Sequence, residues 1–145
     1  MTTQTPFGSP ARTLTVASVA MACDLDPAVN RVRIAERVAR ICADRPDVRL
    51  VHFGETILGW YFKMGETAAY HRRIAEPIPG PSVERLAAVA REHGVYLSFG
   101  MTERAGEAIH NAQILLAHLD LASWHRIGDH PIRVKPRLQG RYSAA

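Results

Sequence analysis

Between Thr13 and Phe53 the chain runs through a β-type apolar stretch, a helix-period stretch and a second β-type stretch. That order constrains it to a layered α/β arrangement, because strands alternating with helices bury their apolar sides against one another. Thr13 to Ala22 (TLTVASVAMA) alternates small and β-branched residues and reads as a first, interior strand. Asp26 is placed to cap a helix, and Pro27 suits its first position. From Ala28 to Ala43, Val29, Val32, Ile34, Ala35, Val38, Ala39, Ile41 and Cys42 recur near helical spacing. Asp44 to Asp47 ends that helix, and Val48 to Phe53 is the second strand.

Further on, Thr56 to Gly65 is a loop holding Trp60, Tyr61 and Phe62, and a short helix is predicted over Thr67 to Ile74. Glu76 to Pro81 contains three prolines, which fix φ and remove donors, so it is neither helix nor central strand. Ser82 is expected to cap a helix over Val83 to His93, closed by Gly94. Val95 to Met101 reads as a third strand, Thr102 to Glu107 as a turn around Gly106, and Ala108 to Leu119 as a fourth strand. The last two strands form a hairpin, so the sheet is mixed. After Asp120 the periodicity is lost. Four strands with two or three helices give thin cover for a sheet that needs both faces protected. The expected domains are a flexible lead over 1–12, a folded domain over 13–126 and an irregular basic tail over 127–145.

Size and composition agree with one globular domain: 145 residues, 47% hydrophobic and 22% charged. No apolar stretch approaches the ~20 residues that span a bilayer. The first dozen residues lack the basic-then-apolar order of a secretory leader, so a cytoplasmic location is the expectation. Cys23 and Cys42 form no C-x-x-C pair and read as small buried hydrophobes. The net charge of +4 invites comparison with nucleic-acid binders. However, most arginines sit beside glutamates on the polar faces of helices, and the excess gathers only at Arg126, Arg133, Lys135, Arg137 and Arg141. No specific nucleic-acid partner is expected. The histidines make no H-x-x-x-H or H-E-x-x-H pattern, and no glycine-rich phosphate loop or G-x-S-x-G elbow is present.

The chemistry-bearing feature is Glu55, a carboxylate where the second strand should end, the place in α/β folds where catalytic side chains collect. Around it, several segments resemble the carbon–nitrogen hydrolase family, the nitrilase–amidase superfamily. LTVASVAMACDLDPAVNRVRI resembles the family's opening strand and helix, and LVHFGETILGWY its glutamate motif. GPSVERLAAVAREHGVYLSFGMTER resembles its next helix and strand, and IHNAQILLAHLDLASWHR the asparagine-bearing strand leading to a lysine motif. The resemblance covers residues 13–126. It implies an α/β fold that is an incomplete half of an αββα sandwich, with a mixed β-sheet flanked by helices. It also implies hydrolysis of small nitrile, amide or N-carbamoyl substrates by a Glu, Lys and Cys triad, without metal or organic cofactor.

Residue by residue, only Glu55 carries over as a catalytic group. Gly54 stands where the family has proline. The lysine motif, usually His or an aromatic, then Arg, then Lys, reads His125, Arg126, Ile127. Isoleucine cannot stabilise an oxyanion, and Arg126, one position away, belongs to the opposite face of a strand. Lys135 lies in the irregular tail, and neither cysteine follows Glu55. The expectation is a truncated, catalytically incomplete chain. A second expectation is a non-catalytic interaction module, because an incomplete sheet leaves faces and edges that pair with other chains, including a homo-oligomer. Asn111 is read as a hydrogen-bonding residue of the fold, His52 as a core histidine and the Trp60–Phe62 cluster as loop packing or pocket lining.

Overall fold

The structure is a computed structural model that describes residues 13–60, 67–117 and 121–126, with the backbone alone for 121–125. The elements are β1 (Val16–Val19), α1 (Pro27–Asp44), β2 (Leu50–Phe53), α2 (Thr67–Ile74), α3 (Pro81–His93), β3 (Tyr96–Ala105), β4 (Ala108–Leu116) and β5 (Leu121–Arg126). The strands lie in sequence order in one five-stranded sheet. β1, β2 and β3 are parallel, and β4 and β5 add antiparallel, so the sheet is mixed as expected.

Two successive crossovers in the same direction place α1 and α3 on one face of the sheet. Ile34 and Val38 of α1 and Val83, Leu86 and Ala90 of α3 pack with Val51, Phe53, Leu97, Phe99, Ile114 and Leu116 in one buried cluster. Burying each Val, Leu, Ile or Phe side chain of this cluster is worth about 1.5–3 kcal/mol, and the α/β layer rests on them. The strand period of two then assigns the other face. It carries Val16, Leu50 and Tyr96 side by side, then Ser18, His52 and Ser98, then Gly100 opposite Gln113, then Thr102 opposite Asn111.

Asp26 caps α1 as expected, its Oδ1 accepting the Ala28 N–H at 2.8 Å. Gly94 closes α3 in the left-handed conformation, φ 62°. Several expectations need correction. β1 is four residues long and lies at the sheet edge rather than inside it, and its Val16, on the face opposite α1 and α3, is 48% exposed. Its β-branched composition signals strand but does not report how many neighbours the strand has. Ser82 does not cap α3: the N-cap is Gly80, and Ser82 lies within the first turn. The capping role falls to Glu76, which accepts the Ser82 N–H at 2.7 Å and its Oγ–H at 2.7 Å. The proline-rich turn brings this carboxylate back to the positive end of the helix.

β3 continues through Ala105, so the turn shrinks to Gly106 and Glu107, with Gly106 at φ 61° as a two-residue hairpin requires. β5 is a fifth strand where the periodicity was expected to be lost. His52 is half-buried on the face away from the helices, not in the core. Tyr61, Phe62, Lys135 and both terminal segments lie outside the described residues.

Candidate active site

Glu55 stands two residues beyond β2, in a tight turn whose Glu55 and Thr56 backbone lies over Gly100 on the sheet face opposite α1 and α3. The turn is held from two sides. From the sheet, Gly100 N–H donates to Gly54 O at 3.1 Å, and Gly100 O accepts from Leu58 N–H at 3.4 Å. The fit is so close that a Cβ on Gly100 would lie 2.7 Å from the Cα of Glu55. Only glycine lets the two backbones approach in this way. From the helical side, buried Asn30 donates to Leu58 O at 3.2 Å and to Asp24 O at 2.8 Å, and accepts from Asp24 N–H at 2.7 Å. Asn30 thus ties the turn to the start of α1.

Thr56, next to Glu55, is buried and has φ 49°, a left-handed conformation that a β-branched residue rarely adopts. Such strain costs about 1–3 kcal/mol and persists only where the surroundings impose it, commonly at functional sites. The turn closes with Gly59 N–H donating to Thr56 O at 2.8 Å. The Glu55 side chain is exposed, and Asn111 on β4 donates from Nδ2 to its Oε1. A carboxylate accepts only, so the amide nitrogen must face it. That orientation leaves Asn111 Oδ1 buried without a hydrogen-bond partner among the described residues. Alongside, Gln113 Nε2 donates to Ser98 Oγ at 2.9 Å and to Phe53 O at 3.3 Å.

Arg126 does not join Glu55. It belongs to the opposite face and binds Glu103 through two parallel bonds of 2.7 and 2.8 Å. The fork holds the Glu103 carboxyl below its usual range, against the opposing effect of burial, and holds the Arg126 guanidinium above its own. Cys23 and Cys42 are half-buried, and burial pushes both thiols up, the opposite of what a nucleophile needs. Trp60 is 46% exposed, with its backbone N–H donating to Tyr70 Oη at 2.9 Å. Among the described residues no group of three or more His, Cys, Asp or Glu side chains gathers as a metal site.

A carbon–nitrogen hydrolase family model matches residues 15–126, a span that contains the whole Glu55 turn, Gly100 and Asn111. The chain belongs to the carbon–nitrogen hydrolase family. It is 31% identical over 106 residues to an N-carbamoylputrescine amidase of Solanum lycopersicum, covering 72% of this chain and 34% of that protein. It is 33% identical over 70 residues to a bromoxynil-specific nitrilase of Klebsiella pneumoniae subsp. ozaenae, covering 48% of this chain and 20% of that one. The crystal structure of a carbon-nitrogen hydrolase from Helicobacter pylori G27 superposes with a TM-score of 0.71 at 18% identity, over 82% of this chain and 41% of the other. At that identity the likeness concerns the fold, and it agrees with a partial nitrilase-type α/β domain. The chain spans about a third or less of the length of these two curated relatives.

Asn30, Gly100, Thr56 and Glu103 were not recognised as site or support residues from sequence. Gly100 had a legible signal, since a lone glycine inside a strand pattern marks close backbone approach. Asn30 had none: an asparagine on a helix looks the same whether it is buried and fully bonded or solvated.

Proposed function

We propose that Glu55 is the proton-accepting carboxylate of a carbon–nitrogen hydrolase site, and that this stretch of sequence alone does not hydrolyse the bond. One observation carries the reading: an exposed carboxylate fixed at the end of a parallel strand by a glycine contact, a strained turn and one neutral amide. A thiol is a poor nucleophile until deprotonated, so the chemistry of the family needs such an acceptor beside it. It also needs a cation for the oxyanion of the tetrahedral intermediate. Past Glu55 the 145 residues contain no cysteine, and the lysines are Lys63 and Lys135, both outside the described residues. Arg126 is neutralised by Glu103 on the other face of the sheet. Substrates of the complete site are small nitriles, amides or N-carbamoyl compounds, in keeping with the names of the relatives. The unit that carries the site is residues 13–126, with 1–12 as lead and 127–145 as a basic tail.

The test has two arms. Purified chain is offered amide, nitrile and N-carbamoyl substrates beside Glu55→Gln; turnover that this substitution abolishes would show a complete site and sink the proposal of inactivity. The encoding DNA is then read past the codon for Arg126 in all frames for a lysine motif and a cysteine. A longer chain with both should hydrolyse, and Glu55→Gln should slow it by about 10²–10⁴-fold, as loss of a general base does.

A second reading, an interaction module that forms homo-oligomers through its sheet, is favoured by the exposure of Leu14 (57%) and Val16 (48%) beside the β1 edge. Size-exclusion chromatography with an apolar dye separates the two: a dye-silent monomer argues against the module.

A further inference from the structure

Asn111 is 8% exposed, and its two polar atoms have unequal fates. Nδ2 donates to Glu55 Oε1, while Oδ1 is buried with no hydrogen-bond partner among the described residues. The cross-strand neighbour of Asn111 is Thr102, whose hydroxyl is bonded to His71 Nδ1 at 2.9 Å. An unsatisfied buried acceptor is a net penalty to the fold. The bond made in exchange stabilises little, because Glu55 is exposed and water would replace a lost donor. As a contribution to folding, asparagine is therefore a poor choice here, and an apolar residue of the same size would serve better. Sites where a local rule is broken without structural return are where function is found.

We infer that Asn111 is a positioning residue: it holds one oxygen of Glu55 in place at the expense of stability and so aims the other. The inference rests on the reading of Glu55 as proton acceptor and adds the group that orients it. A neutral amide suits the task, since it fixes the carboxylate through one oxygen without neutralising it. Gly100 and Asn30 set the backbone of the turn, and Asn111 sets the side chain.

The test uses the whole chain as wild type, Asn111→Leu and Asn111→Asp. Glutamate-selective ¹³C labelling reports the order of the Glu55 side chain by NMR relaxation, and thermal unfolding reports stability. In Asn111→Leu the midpoint should stay level or rise, while the Glu55 methylene order parameter falls below its wild-type value. Asn111→Asp keeps the shape, replaces the donor with a second carboxylate and should release Glu55 in the same way at temperatures where the fold is intact. A lowered midpoint in Asn111→Leu, or a Glu55 side chain that stays rigid in Asn111→Asp, would overturn the inference. Neither readout requires turnover. Glu55 could prove restrained by Asn111 and yet accept no proton, and that outcome would fail the functional proposal alone.

Discussion

The sheet carries two glutamates with opposite circumstances. Glu103 lies on the helix-side face, its side chain 6% exposed, with both oxygens bound by the Arg126 guanidinium. Glu55 lies on the other face, exposed, with one oxygen engaged by a neutral amide. A fixed cation that satisfies both oxygens leaves a carboxylate nothing further to do but hold strands together. A neutral donor on one oxygen restrains the group and keeps its charge available. The same contrast runs through β3, where Leu97, Phe99 and Met101 pack into the core on one face and Gly100 supports the Glu55 turn on the other.

The sharpest way to break this contrast is to compare neighbours on β3. Phe99 is fully buried against the helices, and Phe99→Ala should cost about 3–5 kcal/mol through lost burial and the cavity left behind. Ser98, adjacent but on the other face, donates no packing of that kind. Ser98→Ala removes one hydrogen bond with Gln113 and should cost about 1 kcal/mol. Urea unfolding of both variants checks the ratio. Equal losses would mean that the second face contributes as much to the fold as the first.

Next in size is Gly100→Ala. The added Cβ meets the backbone of Glu55 and Thr56, which cannot swing away like a flexible side-chain end. A loss of about 1–3 kcal/mol is expected from overpacking. Amide chemical-shift changes should concentrate at residues 54–58 and at the Asn111 side chain, while α1 and α3 stay unaffected. A uniform spread of changes would contradict the assignment of Gly100 to the Glu55 turn.

Much of the architecture was legible because it rests on periodicity. The stripe of α1, the apolar runs of β2 and β4, the Asp26 cap and the Gly94 stop are local signals, and each lies within a few residues of its expected place. What escaped depends on distant partners. Ser82 looked like a cap because serine before an apolar run usually is one, yet Glu76 supplies the acceptor after a proline-rich turn. β5 was missed because its strand character comes from pairing with β4 and not from alternation of its own. Glu55 itself was legible by position and by family resemblance. Its neighbours Asn30 and Asn111 became meaningful only when the fold brought residues 25 or more positions away against them.

The smallest effects are expected in acid, and they separate by face and by window. His71 of α2 is 2% exposed, and burial pushes its imidazole below the ordinary value. The unfolded chain therefore takes up this proton before the folded one does. Stability should be full above about pH 6.5 and decline as pH falls from there through the folded value. Glu103 behaves differently. Arg126 holds its carboxyl below 4.5, so the contribution of that pair is present above pH 4.5 and is lost only as pH falls through the lower folded value. Denaturant midpoints measured from pH 7.5 to 3 should show two successive declines. His71→Asn should flatten the first and leave the second, and Arg126→Gln should weaken the second and leave the first. A single decline that neither substitution moves would show that other carboxylates govern the acid limb, and the description of Glu103 as a closed, structural counterpart to Glu55 would lose its energetic support.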